Sequence, residues 1–300
     1  MAYADGVLAA LRPRSLFASA CPVLVTLALL VTSPNRPVRL SLDALTALTI
    51  ALLVQLLANL SAVFRNFHRS FEPLKTQGAD GRVVINLLSQ TQVRRWAIAL
   101  VVVMLFALGG CHVALEKPPR VTGGAVALVA AAFVYCRFVD ELPIVGLEEL
   151  VFAAATGPVA MCATAFYLTG AHSWLVFFYS LPVAMFTLSF LILKSAKDAP
   201  FARRMGKSSK SLALRLDFQL SYQLFLLLAA LSYAALFVLG MGLGHVGNFV
   251  LLASVTRLRD IADDFREEQL EQLPDAMAKL GGLLGAGLAL SITGCGLLLY

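Results

Sequence analysis

KSAKDAPFARRMGKSSKSLALR, residues 194–215, is a polar island between two long apolar runs. It carries Lys194, Lys197, Arg203, Arg204, Lys207, Lys210 and Arg215 against a single acid, Asp198. A second basic island, residues 65–95, holds Arg65, Arg69, Lys75, Arg82, Arg94 and Arg95 and closes another apolar pair. Long apolar runs interrupted by basic islands are the pattern of helices that cross a bilayer and are anchored at one face by cations.

The composition around the islands agrees. The chain is 59% hydrophobic and 14% charged, with a mean hydropathy of +0.80, far more apolar than a soluble domain of 300 residues requires. Spanning a hydrocarbon core takes roughly 17 to 25 residues of helix. Apolar runs lie near 15–33, 41–64, 95–115, 121–139, 145–170, 173–193, 217–242, 244–257 and 279–299. The eighth is the weakest, a short stretch followed at once by RLRDIADDFREEQLEQLPD. Because hydrocarbon offers peptide groups no hydrogen-bond partner, each run is expected to be helical. Strand-like alternation is absent. The sequence therefore predicts an all-α, multi-pass integral membrane protein of nine transmembrane helices, one domain over 1–300, with cap loops at about 65–95 and 194–216.

With nine spans, 20 of the 24 Lys/Arg fall on the side that holds the N-terminus, leaving Arg36, Arg39, Lys117 and Arg120 opposite. That asymmetry predicts a cytoplasmic N-terminus and cytoplasmic islands. It also accounts for the net charge of +6 without nucleic acid, for which no motif is present. The opening residues read as a retained first span, because the main apolar run follows Cys21 instead of preceding it. Cys21, Cys111, Cys136, Cys162 and Cys295 all fall in apolar runs without paired spacing, which argues against a zinc site or a disulfide framework.

Near the end of the second run, QLLANLSAVFRNFHRSFEPLK, the residues Asn59, Ala62, Asn66 and Arg69 share a helix face. Asn59 lies a turn or two inside, where an amide needs a partner in the bundle or a water-filled cavity. Glu148 and Glu149 read as a polar pair on the cap side of the fifth run. The acids of residues 260–275 have the spacing of the solvated face of a connecting helix.

The opening RPRSLFASACPVLV, the pair Asn59-Leu60, TGPVAM at 156–161, GK…SLALRL at 206–216 and FREEQLEQLPDAMAKLGGLLG at 265–285 occur in an order and spacing that run nearly end to end. Together they resemble the UbiA superfamily of intramembrane prenyltransferases, with the nearest likeness to the dihydroxynaphthoate prenyltransferases of menaquinone synthesis. The resemblance implies nine helices around a central cavity capped by the second and sixth connections. It also implies two Asp-rich motifs that hold Mg2+ and, through it, an isoprenyl diphosphate. Magnesium prefers hard oxygen ligands and neutralises the diphosphate as a leaving group, and the allylic cation then alkylates a lipophilic aromatic acceptor. In such enzymes the region of Glu148 and Glu149 lines the cavity, where it contacts acceptor or a rim Arg.

The motif positions here are depleted in acid. Ala62 and Asn66 stand in the first motif with Glu72 later, and Asp198 is kept in the second while Ala202 replaces its partner. The resemblance then leaves Asp198, Asn66 and Glu72 for at most one Mg2+. Around them Arg65, Arg69, Lys75, Arg82, Lys194, Lys197, Arg203, Arg204 and Lys207 form a basic rim able to bind diphosphate by charge-assisted hydrogen bonds. Ordinary inside-positive charge and attraction to anionic membrane lipids would account for the same cations. Three readings stay open: an active prenyltransferase, an inactive relative that binds an isoprenoid, quinone or membrane partner, and a lipid-handling or transport protein.

Overall fold

The computed structural model describes residues 11, 13–33, 42–68, 89–138, 145–204 and 212–299, and among these all regular structure is helical. The helices are α1 (Phe17–Val31), α2 (Leu42–His68), α3 (Gln90–Ala114), α4 (Pro119–Phe138), α5 (Leu147–Thr169), α6 (Trp174–Arg204), the short α7 (Leu212–Arg215) and α8 (Phe218–Gly242). A 3-10 helix, Val246–Ser254, then leads into α9 (Val255–Arg266), and α10 (Leu273–Leu299) closes the chain. All nine apolar runs thus have a helical counterpart. Six helices, α2, α3, α5, α6, α8 and α10, contain stretches long and apolar enough to cross a membrane, while α1 and α4 carry shorter apolar stretches.

Local signals explain the boundaries. Ser89 starts α3 through a reciprocal capping box with Gln92, and Asp217 starts α8 by accepting from the Leu220 N–H at 2.7 Å. Gly170 ends α5 in the left-handed region at φ +68°.

The chain divides into two compact units, Met1–Ser19 with Leu42–Leu142, and Ala20–Ser41 with Pro143–Tyr300. In the first, α2 packs against α3 and α4. Asp43 at the start of α2 pairs with Lys117 at 2.7 Å, and Thr46 meets the Cys111 thiol at 2.9 Å.

In the second unit α6 packs along α8, and the buried core runs from Met161 and Tyr179 through Phe225 to Ile292. Lipid tails are as apolar as leucine, so helices there gain by fitting closely. Glycines on α10 permit this fit. A Cβ at Gly285 would fall 2.4 Å from the Cys21 Cβ of α1, and one at Gly296 would fall 2.2 Å from the Thr32 methyl. The TGPVAM motif does the same for α5. Its Thr156-Gly157-Pro158 forms a π turn within the helix, Thr156 Oγ1 donates back to the Phe152 carbonyl at 3.0 Å, and a Cβ at Gly157 would lie 2.8 Å from Ala184 on α6.

Two elements differ from expectation. The sixth apolar run ends at 193 in the sequence, yet α6 continues to Arg204 through Pro200. Ala196 and Ala199 are buried, so packing carries the helix past the residue that withholds one N–H. The eighth run is wound as a 3-10 helix. Nine residues rise about 18 Å in that form against about 13.5 Å as α-helix. Its Asn248 is buried in a polar series: Ser291 on α10 donates to Asn248 at 2.9 Å, Asn248 donates to the Tyr179 hydroxyl at 3.2 Å, and that hydroxyl bonds His245 Nδ1. Beyond it α9 buries Leu258, Ile261, Ala262 and Phe265 and exposes Arg259, Asp260, Asp263 and Asp264, as a connecting helix with a solvated face should.

The tight α1 to α10 contact yields a test. Gly285→Val puts branched carbon where Cys21 already sits, and overpacking of this kind costs about 1–3 kcal/mol or more. We expect a lower melting temperature for the purified protein in detergent, whereas Gly294→Ala, which meets no atom within 4 Å, should leave it unchanged.

Candidate functional site

The α6 helix carries the first part of the second island, and α7 its end. Ile192, Leu193, Ala196 and Ala199 are buried, and their spacing turns Lys194 and Lys197 outward, with Asp198 partly covered one turn after Lys194. Lys197 is not a loose cation. Its Nζ donates to the backbone carbonyl of Glu271, in the α9–α10 connection, at 2.7 Å. Arg203 and Arg204 are the last two residues of α6, and Arg65 and Asn66 lie in the last turn of α2; their side chains, with Arg69, Glu72, Lys75, Arg82 and Lys207, lie outside the described residues.

The two glutamates of α5 divide sharply. Glu148 is exposed, while Glu149, one residue on and about 100° around the helix, is 5% exposed. One oxygen of Glu149, Oε1, accepts from the Ser195 hydroxyl at 3.2 Å and from the Leu212 backbone N–H at 3.0 Å. Ser195 lies between Lys194 and Lys197 on α6, and Leu212 opens α7 near the end of the island. The sequence placed Glu149 near the cap but could not reveal a bond to a residue 63 positions away.

Asn59 also finds protein partners. Its Nδ2 donates to the Leu11 carbonyl at 2.7 Å and to Ser15 Oγ at 2.8 Å, while Oδ1 accepts from Gln55 Nε2 at 3.2 Å. Gln55 in turn accepts from Ser19 at 2.8 Å. Both amide hydrogens are thereby used, and α2 is stitched to the segment that opens α1.

The acid set for a metal ion is thin. Among the described residues no three His, Cys, Asp or Glu side chains cluster closely enough to hold one, and Asp198 is the described member of the set Asp198, Asn66 and Glu72. The described residues alone do not complete a magnesium site. What the second island offers is a set of cations on a helix whose other faces are buried.

No family model matches the chain. It is 24% identical over 297 residues to the UbiA prenyltransferase domain-containing protein 1 of Dictyostelium discoideum, covering 96% of this chain and 88% of that protein. In fold it is similar to the solved structure of a digeranylgeranylglyceryl phosphate synthase in membranes, with a TM-score of 0.60, 12% identity and 99% of both chains covered.

The Asn59 network separates a scaffold role from a ligand role. Asn59→Asp keeps the oxygens a cation would want but loses both N–H donors and sets a carboxylate against the Leu11 carbonyl. It should lower stability at least as much as Asn59→Ala, by about 1–3 kcal/mol, as read by thermal melting in detergent. An Asp variant as stable as the parent would argue against the stitch.

Proposed function

We propose that this chain, a UbiA-superfamily membrane protein by its likeness along nearly its whole length to a prenyltransferase-domain protein, transfers an isoprenyl group from a diphosphate donor to a lipophilic aromatic acceptor of the naphthoquinone-precursor class. The end-to-end sequence likeness carries the reading. In this reading all nine helical segments cross the membrane, the N-terminus and both islands face the cytoplasm, and the donor's diphosphate meets the cations of the second island.

The residues supply chemistry suited to such a donor. Lys194, Lys197, Arg203 and Arg204 on α6, with Lys207 beyond it, stabilise the diphosphate as negative charge builds on it when the C–O bond breaks. The allylic carbon then bonds to the acceptor ring, the ring proton is lost, and inorganic diphosphate leaves. Asp198 would serve as a ligand to at most one magnesium ion, which would supply further charge for the leaving group. The replacement of acids by Ala62 and Ala202 favours one other reading, a relative that binds donor or quinone without transferring it.

Binding of a non-hydrolysable farnesyl diphosphate analogue to the purified chain, with magnesium and with a chelator, tests this. We expect analogue binding in magnesium, weakened by Arg203→Ala or Lys207→Ala, and, with farnesyl diphosphate itself and an aromatic acceptor, product that falls by about 100-fold or more in Asp198→Ala. Binding without turnover across an acceptor panel would select the inactive relative, and no binding under either condition would remove the prenyltransferase reading.

A further inference from the structure

The buried carboxylate of Glu149 stands out because it is used twice, by residues near the two ends of the second island. The chain leaves α6 at Arg204, nine residues or about 13.5 Å of helix beyond Ser195. By Leu212 it has returned to the level of Ser195, since a single oxygen, Glu149 Oε1, takes hydrogen bonds from both. The side chain of Leu212 is gripped at the same point. Gly146, at φ +75°, caps α5 beside it, and a Cβ there would come within 3.1 Å of the Leu212 Cδ1. A second tether, Lys197 Nζ to the Glu271 carbonyl, holds the same stretch of α6 to the α9–α10 connection.

We infer that Glu149 is a positioning residue: its carboxylate joins Leu212 to Ser195 and so fixes the turn of α6 that bears Lys194, Lys197 and Asp198 against the start of α7. A group 5% exposed whose Oε1 accepts from both Ser195 and Leu212 is placed to act as a strut within the protein. An acid suits this place better than an amide or hydroxyl. It accepts from a backbone N–H and a hydroxyl through one atom, and charged acceptors make the stronger hydrogen bonds. Its consequence for diphosphate binding rests on the function proposed above; the strut itself does not.

Two readouts keep those two claims apart. The first is hydrogen exchange of the Leu212 amide in the full-length protein in detergent, which needs no ligand. Wild type should protect it, Glu149→Ala should release it, and Glu149→Gln, whose amide oxygen can still accept from both donors, should retain most of the protection. Leu212→Pro deletes the same donor at a first helical position that tolerates proline, with Leu212→Ala as the control for lost side-chain packing.

The second is the Kd of the farnesyl diphosphate analogue. Glu149→Ala should weaken binding about tenfold and Glu149→Gln by less than about threefold. Leu212→Pro should match Glu149→Ala, and the double variant should be no worse than either single one. A metal or substrate ligand would instead lose as much in the Gln variant as in the Ala variant, which would overturn the inference. So would unchanged protection in Glu149→Ala, whereas lost protection with unchanged Kd would leave the strut and overturn its consequence for binding. If wild type binds no analogue while Glu149→Ala still releases the amide, the strut stands and the proposed function falls.

Discussion

Hydrocarbon cannot hydrogen-bond to a peptide group, and the rest of this structure follows from that constraint. It makes every described regular element helical and it also governs the side chains. Thr26, Thr46, Thr49, Thr169 and Thr293 each turn the hydroxyl back to the carbonyl four residues earlier. Bonds of this kind satisfy the hydroxyl within its own helix. Against that background, polar groups that reach across elements mark where the architecture needs a specific neighbour: Asn59 to the opening segment, the Tyr179, His245, Asn248 and Ser291 series, and Glu149.

The same solvent removes the usual gain from burying leucine, so shape has to hold the helices together. Glycine does this on α10, where Gly281, Gly285 and Gly296 lie too close to Phe186, Cys21 and Thr32 for a Cβ to fit. The π turn of α5 and the 3-10 winding before α9 serve the same end. One brings Gly157 against α6, and the other stretches a short apolar run while delivering Asn248 to its partners. Both depart from regular α-helix where a neighbouring helix supplies the compensating contact.

The coarse plan is visible in the sequence because hydropathy reports burial in lipid directly, and each of the nine apolar runs has its helix. Local signals say less where packing overrides them. Pro200 argues for a break that the buried Ala196 and Ala199 prevent, and nothing local distinguishes 3-10 from α over residues 246–254. For Asn59 the alternatives were a bundle partner and a wet cavity, and the choice turned on Leu11 and Ser15, more than forty residues away. Glu149 looked like a cap-side acid because periodicity fixes a face and cannot name what the face meets. The cysteines were easier: Cys21, Cys111, Cys162 and Cys295 are free thiols, as unpaired spacing in apolar runs implies.

A basic island that merely keeps a membrane protein the right way round differs from one that handles an anion in how firmly its cations are arranged. Orientation depends on the number of cations near a helix end and is indifferent to their arrangement. For that purpose, ordering a lysine side chain, at about 1.5–2 kcal/mol of lost rotamer freedom, would be a cost without a return. Here the helix that bears Lys194 and Asp198 is tied at Ser195 through a buried carboxylate, and Lys197 is bonded to a backbone carbonyl two residues on. Geometry held against entropy needs a use, and a multivalent anion with fixed oxygen positions is a ligand for which it has one. An anion with several oxygens would meet those cations in register only if the helix face that carries them is fixed.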